Sequence, residues 1–122
     1  MIKTITNNFF NSYKSAFNDF DARAITLHYQ FPCIISDLDG LTNYTKREDL
    51  EIKFESNCLK IKTMGYDDSS YCVNEIKLLG KNIVSIDLKW KINFKTKILG
   101  FYSFYLCVKD KQHLKIFNAI VY

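Results

Sequence analysis

The side chains able to move or direct a proton in this 122-residue chain are few enough to weigh one by one. Asp37 opens an Asp37-Leu38-Asp39-Gly40 turn directly after Ile34-Ile35. A carboxylate there either bonds nearby backbone amides or lines an apolar pocket, where desolvation makes it a general base near neutral pH. Tyr13 sits among Phe9, Ala16 and Phe17, and its hydroxyl needs a partner: a ligand carbonyl, Asp37 or a water. His28 shares an inward side with Ile25 and Tyr29 and is either a satisfied core ring or a titratable pocket group. Trp90 is a core wall or a stacking surface. Asn118 lies between Ile116 and Ile120, a buried amide or a polar pocket group.

Metal and redox chemistry have less support. His113 stands in a polar turn, and Cys33, Cys58, Cys72 and Cys107 form no Cys-x-x-Cys pair, so the spacing suggests neither a zinc site nor a redox motif. The cysteines read as reduced and mostly buried, and no metal or cofactor is expected.

These residues need elements to hold them. The clearest is Ile83 to Phe94, where Val84, Ile86, Leu88, Trp90, Ile92 and Phe94 alternate with Ser85, Asp87, Lys89, Lys91 and Asn93. That period of two is a strand with one dry face that must be covered. Upstream, Ile5, Phe9, Tyr13, Ala16, Phe17 and Phe20 make a helical stripe, with Thr4 or Thr6 as a possible cap. Asp21 caps a short helix running to about Tyr29, which Pro32 stops. Cys33 to Asp37 and Leu41 to Tyr44 then form a hairpin around Asp39-Gly40.

Thr45-Lys46-Arg47-Glu48 is a capping-box pattern opening a third helix. Its seam is Leu50, Phe54, Cys58 and Ile61, with Lys46, Lys53 and Lys60 on the solvated side. A loop from Met64 to Asp68 leads into strands Ser69 to Leu79, Ile83 to Phe94, Phe101 to Val108 and Leu114 to Tyr122. This predicts one α+β domain over 1–122, three helices and then a mainly antiparallel meander.

Composition agrees. A 48% hydrophobic and 16% aromatic share supplies large rings for one core. A net charge of +4 is too mild for a nucleic-acid footprint, so nucleic acid is not an expected partner. No export signal and no membrane-length apolar run can be read, which makes a cytoplasmic protein the expectation. Both faces of the last strand are largely apolar, and a homodimer through the sheet would cover the outer one.

The element order resembles the nuclear-transport-factor-2-like superfamily, a cone-shaped, cystatin-like α+β roll that includes ketosteroid isomerases and SnoaL-type cyclases. Tyr13-Lys14-Ser15-Ala16-Phe17-Asn18-Asp19-Phe20-Asp21 and Phe31-Pro32-Cys33-Ile34-Ile35-Ser36-Asp37-Leu38-Asp39-Gly40 carry the local likeness. The resemblance implies three helices roofing a curved mixed sheet over a pocket. In ketosteroid isomerases an Asp base works beside a Tyr oxyanion donor and a neutral Asp, and the first two fall on Asp37 and Tyr13. The third has no counterpart: Phe101 to Val108 holds no acid, and Ser103, Tyr102 or Tyr105 is the available donor. Asp37 is followed by Leu38 rather than the proline frequent in those isomerases. The expected pocket residues are thus Tyr13, His28, Asp37, Trp90, Tyr102 and Asn118. Three functions remain open: binding a small apolar or amphipathic molecule, isomerase or cyclase chemistry through Asp37 and Tyr13, and a protein-interaction module with a filled core.

Overall fold

The computed structural model describes residues 1–122. In chain order it has helices α1 (Ile2–Asn18) and α2 (Ala22–Thr26), strands β1 (Tyr29–Asp37) and β2 (Gly40–Tyr44), and helix α3 (Arg47–Thr63). Four strands follow: β3 (Tyr66–Leu79), β4 (Ile83–Phe94), β5 (Ile98–Asp110) and β6 (His113–Val121). The strands form one open mixed sheet in the order β2-β1-β6-β5-β4-β3, antiparallel except where β1 runs beside β6. The α+β layout expected from the sequence is the one observed.

The dry face of β4 is the expected one, although Ser85 on the other face is buried too and Ile92 is only half-buried. Val84, Ile86, Leu88, Trp90 and Phe94 are buried while Lys89 and Lys91 are exposed. α1 lies across that dry face through Phe10, which is fully buried with ring centroids 4.9 Å from Tyr105 and 6.4 Å from Trp90. α3 adds Leu50, Phe54 and Cys58, so burial of both helices against one sheet face builds the core.

Several local readings change. α2 ends at Thr26 and Tyr29 already belongs to β1, so Pro32 sits inside a strand, at the irregular stretch between the Tyr29 and Ile34 pairings with β6. A residue without an N–H is tolerated where the ladder is interrupted. The capping box does not form: α3 starts after Lys46 with no side-chain cap, and Glu48 and Asp49 instead face the positive helix start. α1 begins at Ile2, ahead of both expected threonine caps, whereas Asp21 caps α2 by accepting from the Ala24 amide at 3.0 Å. Gly40 at φ +105° closes the β1–β2 turn in a conformation that side chains resist. All four cysteines are free; three are buried and Cys72 is exposed.

Candidate functional site

Helices α1 and α3 do not close fully on the sheet, and a cavity of about 540 Å³ remains between them. α1 contributes Tyr13 and Phe17, α3 contributes Phe54 and Ile61, and the sheet supplies Ile35, Trp90, Phe101, Tyr105 and Val121. The walls are therefore mostly apolar and aromatic.

Its polar groups fall into two sets. The inner set is phenolic. Tyr13 and Tyr29 share a hydrogen bond of 2.7 Å between their hydroxyls, and the Trp90 indole N–H donates to the Tyr105 hydroxyl at 3.2 Å. Burial raises the pKa of all three tyrosines. Tyr13 and Tyr29 go well above the ordinary phenol value, and Tyr105 is pushed up to about 12 against the opposing pull of Ser103 and Trp90. They are neutral donors at physiological pH. One hydroxyl of the Tyr13–Tyr29 pair keeps its proton unused within the pair, and Tyr105, having accepted from Trp90, keeps its own. The Ser103 hydroxyl, buried two residues before Tyr105 on β5, is near enough to lower the Tyr105 pKa but makes no well-formed hydrogen bond.

The second set rings the rim where the β1–β2 turn meets α3. Lys53 Nζ lies 2.9 Å from Asp37 and 3.2 Å from Asp39, and Asp37 Oδ1 also accepts the Asp39 amide at 2.9 Å. Burial pulls the Lys53 pKa down, but the two carboxylates outweigh it and the net shift is upward. Lys53 and Lys60, expected on the solvated side of α3, instead line the cavity edge with Asn57. Their long stems lie along the apolar wall while their charged ends reach the rim.

Three of the expected site residues converge here: Tyr13, Asp37 and Trp90 all line the cavity. The other three do not. His28 falls at the turn before β1, and its ring points to α1, with Nε2 3.0 Å from Ser12 Oγ. Tyr102 points outward, because Ser103, Tyr105 and Cys107 are the β5 residues buried against the helices. It stacks on Tyr122 with ring centroids 5.7 Å apart. Asn118 faces away from the cavity because β6 carries an extra residue at Phe117, where Leu106 pairs with Asn118 but Cys107 with Ile116. That bulge switches the inward side from Ile116 to Ala119 and Val121. Tyr105 takes the place on β5 that the sequence left open among three donors.

Helices roofing a six-stranded mixed sheet around such a cavity define the nuclear-transport-factor-2-like, cystatin-like fold, and solved structures share it. An NTF-2 like protein of unknown function from Shewanella oneidensis superimposes with a TM-score of 0.82 at 14% identity, covering 99% of this chain and 98% of that one. A ketosteroid isomerase-like protein from Erwinia carotovora atroseptica gives 0.73 at 12% identity over 97% and 92% of the two chains. A putative scytalone dehydratase from Novosphingobium aromaticivorans gives 0.70 at 11% over 98% and 81%. At such identities the likeness is one of fold. Comparison with curated proteins returned no match. The model of the family described as NTF2-like protein (DUF6841) matches residues 3–122, and the chain belongs to that family. No helix is long and apolar enough to cross a membrane.

Proposed function

We propose that the chain binds one small, flat, largely apolar molecule in the cavity between α1, α3 and the sheet. The observation that carries this is the roughly 540 Å³ of aromatic-walled space with phenol hydroxyls at its inner end, a size and polarity suited to a compact ligand. The unused phenolic protons of the tyrosine pair and Tyr105 call for an acceptor, so the ligand carries a carbonyl-type oxygen at that end. Asp37 and Asp39 close the rim with Lys53 and leave the hydrocarbon part to the rings.

Trp90, the chain's single tryptophan, lines this space and makes it its own reporter. Titration with a two- or three-ring aromatic ketone is expected to change Trp90 emission saturably. Tyr105→Phe removes one donor and weakens binding roughly fivefold, in line with about 1 kcal/mol for a neutral hydrogen bond. A linear, non-saturating response unaffected by Val121→Phe, which narrows the cavity, argues for a filled interior instead.

A second reading has one observation in its favour: Asp37 and Tyr13 face the same cavity. An isomerase or cyclase would use Asp37 as base and Tyr13 as oxyanion donor. The bound ammonium and amide already occupy Asp37, which favours simple binding. Deuterium exchange next to the ketone carbonyl, present in the native chain and lost in Asp37→Asn, would reverse that preference.

The outer sheet face exposes Ile34, Tyr102, Ile120 and Tyr122, which supports a homodimer through the sheet. Sedimentation at micromolar concentration is expected to give twice the 14.4 kDa chain mass, and a monomer alone contradicts it. A cytosolic location rests on the four unpaired thiols.

A further inference from the structure

Away from the cavity, a shallow groove of about 390 Å³ lies where α1, α2 and the start of β6 meet. His28 stands in it with both ring nitrogens engaged. Nδ1 is 2.9 Å from the Ala24 carbonyl, which can only accept, so Nδ1 carries the proton in the neutral ring. Nε2 then presents its lone pair to Ser12 Oγ at 3.0 Å, and the serine hydroxyl donates to it. The imidazole is held edge-on between Phe9 and Tyr13, with centroids at 5.1 and 5.3 Å, and the His28 carbonyl is fixed by the Ile116 amide at 2.9 Å.

A hydroxyl bonded to a neutral imidazole whose other nitrogen is anchored is the arrangement that activates a serine. The serine is exposed to solvent, as a nucleophile must be. Phe9, Leu27 and Leu114 give the groove an apolar floor, and the Lys115 ammonium, which donates to the Leu27 carbonyl, puts positive charge at its wall. From this geometry we propose that Ser12 and His28 form a nucleophile–base pair that takes the acyl group of small, uncharged esters.

In the step, Ser12 Oγ bonds the ester carbonyl carbon as its proton passes to His28 Nε2. The tetrahedral adduct collapses, the C–O bond to the leaving alcohol breaks, and His28 returns the proton to that alcohol. Water, deprotonated by His28, then cleaves the acyl-serine to the free acid and restores Ser12. Burial lowers the His28 pKa, which keeps the ring in its accepting form at neutral pH. Ser12 lies inside α1 with its own amide in the helix, so no pair of free backbone N–H groups stabilises the oxyanion and both steps are slow. An ester with a good leaving group acylates Ser12 faster than water cleaves the alkyl acyl-serine.

The test uses the full chain with 4-nitrophenyl acetate and, separately, an alkyl fluorophosphonate, followed by intact mass and peptide mapping. The expected result is a single acetyl or phosphonyl adduct on Ser12, absent in Ser12→Ala and formed on the order of 100-fold more slowly in His28→Gln. Both substitutions are paired with circular dichroism, and Ser12→Ala, at an exposed site, keeps the fold. No adduct on the native chain, an adduct on any other residue, or an unchanged rate in folded His28→Gln overturns the proposal. Trp90-reported ketone binding should persist in Ser12→Ala, so this activity and the cavity reading fail independently.

Discussion

Phe10→Ala is expected to cost the fold about 3–5 kcal/mol, the range for deleting a fully buried aromatic ring. Phe10 has no exposed surface and meets five rings, those of Phe9, Tyr13, Tyr71, Trp90 and Tyr105. It joins α1 to the sheet at the place where the helix roofs the cavity. Its removal deletes the transfer energy of the ring and leaves a void that rigid neighbours fill only in part. Thermal unfolding should fall by roughly 10–20 °C for a chain of this size. Leu38→Ala, at a fully exposed position on the rim, should change stability by less than about 0.5 kcal/mol. Equal effects from the two would mean that α1 does not pack as described.

Alkali is expected to unfold the protein at a pH where most folds of its size persist. Tyr105 moves from an ordinary 10 to about 12 because burial opposes the phenolate, and Tyr13 and Tyr29 move the same way. Burial also pushes the Cys107 thiol from 9 to about 12. An acid whose pKa is raised on folding contributes stability that is complete below its unfolded value and vanishes as pH climbs through the folded one. The loss therefore begins near pH 9 with the thiol and steepens between 10 and 12 with the phenols. Tyr105 alone accounts for about 3 kcal/mol across two pH units. Lys53, also raised, adds loss in the same direction. Urea unfolding at pH 8 and pH 11.5 checks this: stability should drop by several kcal/mol, with a smaller drop in Tyr105→Phe. Equal stability at the two pH values would show that the phenols are not buried together.

The sequence made the scaffold legible wherever a pattern had one solution. The β4 sequence alternates over its length, and five of the six residues it names as dry (Val84, Ile86, Leu88, Trp90 and Phe94) are buried; Ile92 is half-buried and Ser85, from the other face, is buried as well. Asp21 had no rival as a cap and serves as one. Patterns with two solutions misled. Both faces of β6 are apolar, so nothing in its composition marks the extra residue at Phe117 that turns Asn118 outward. β5 posed the same problem, because a shift of one residue in pairing with β4 exchanges Tyr102 for Tyr105. The register, with Ile86 opposite Tyr105, is set by how few residues separate the two strands. The Lys53 link to Asp37 and Asp39 joins residues fourteen or more positions apart, and a lysine on a helix carries no local sign of such a partner. Ser12 and His28, sixteen positions apart, meet only because α2 folds back along α1.

Ligand binding requires space between the α1–α3 roof and the sheet that a molecule can enter with its oxygen toward the tyrosines. A crystal soaked with the aromatic ketone used for the Trp90 titration examines that directly. The predicted result is ring density between Trp90 and Phe54, its oxygen about 3 Å from the hydroxyl of Tyr13 or Tyr105. Phenylalanine or tyrosine side chains occupying that volume, with the ketone bound only on the outside of the sheet, would contradict it.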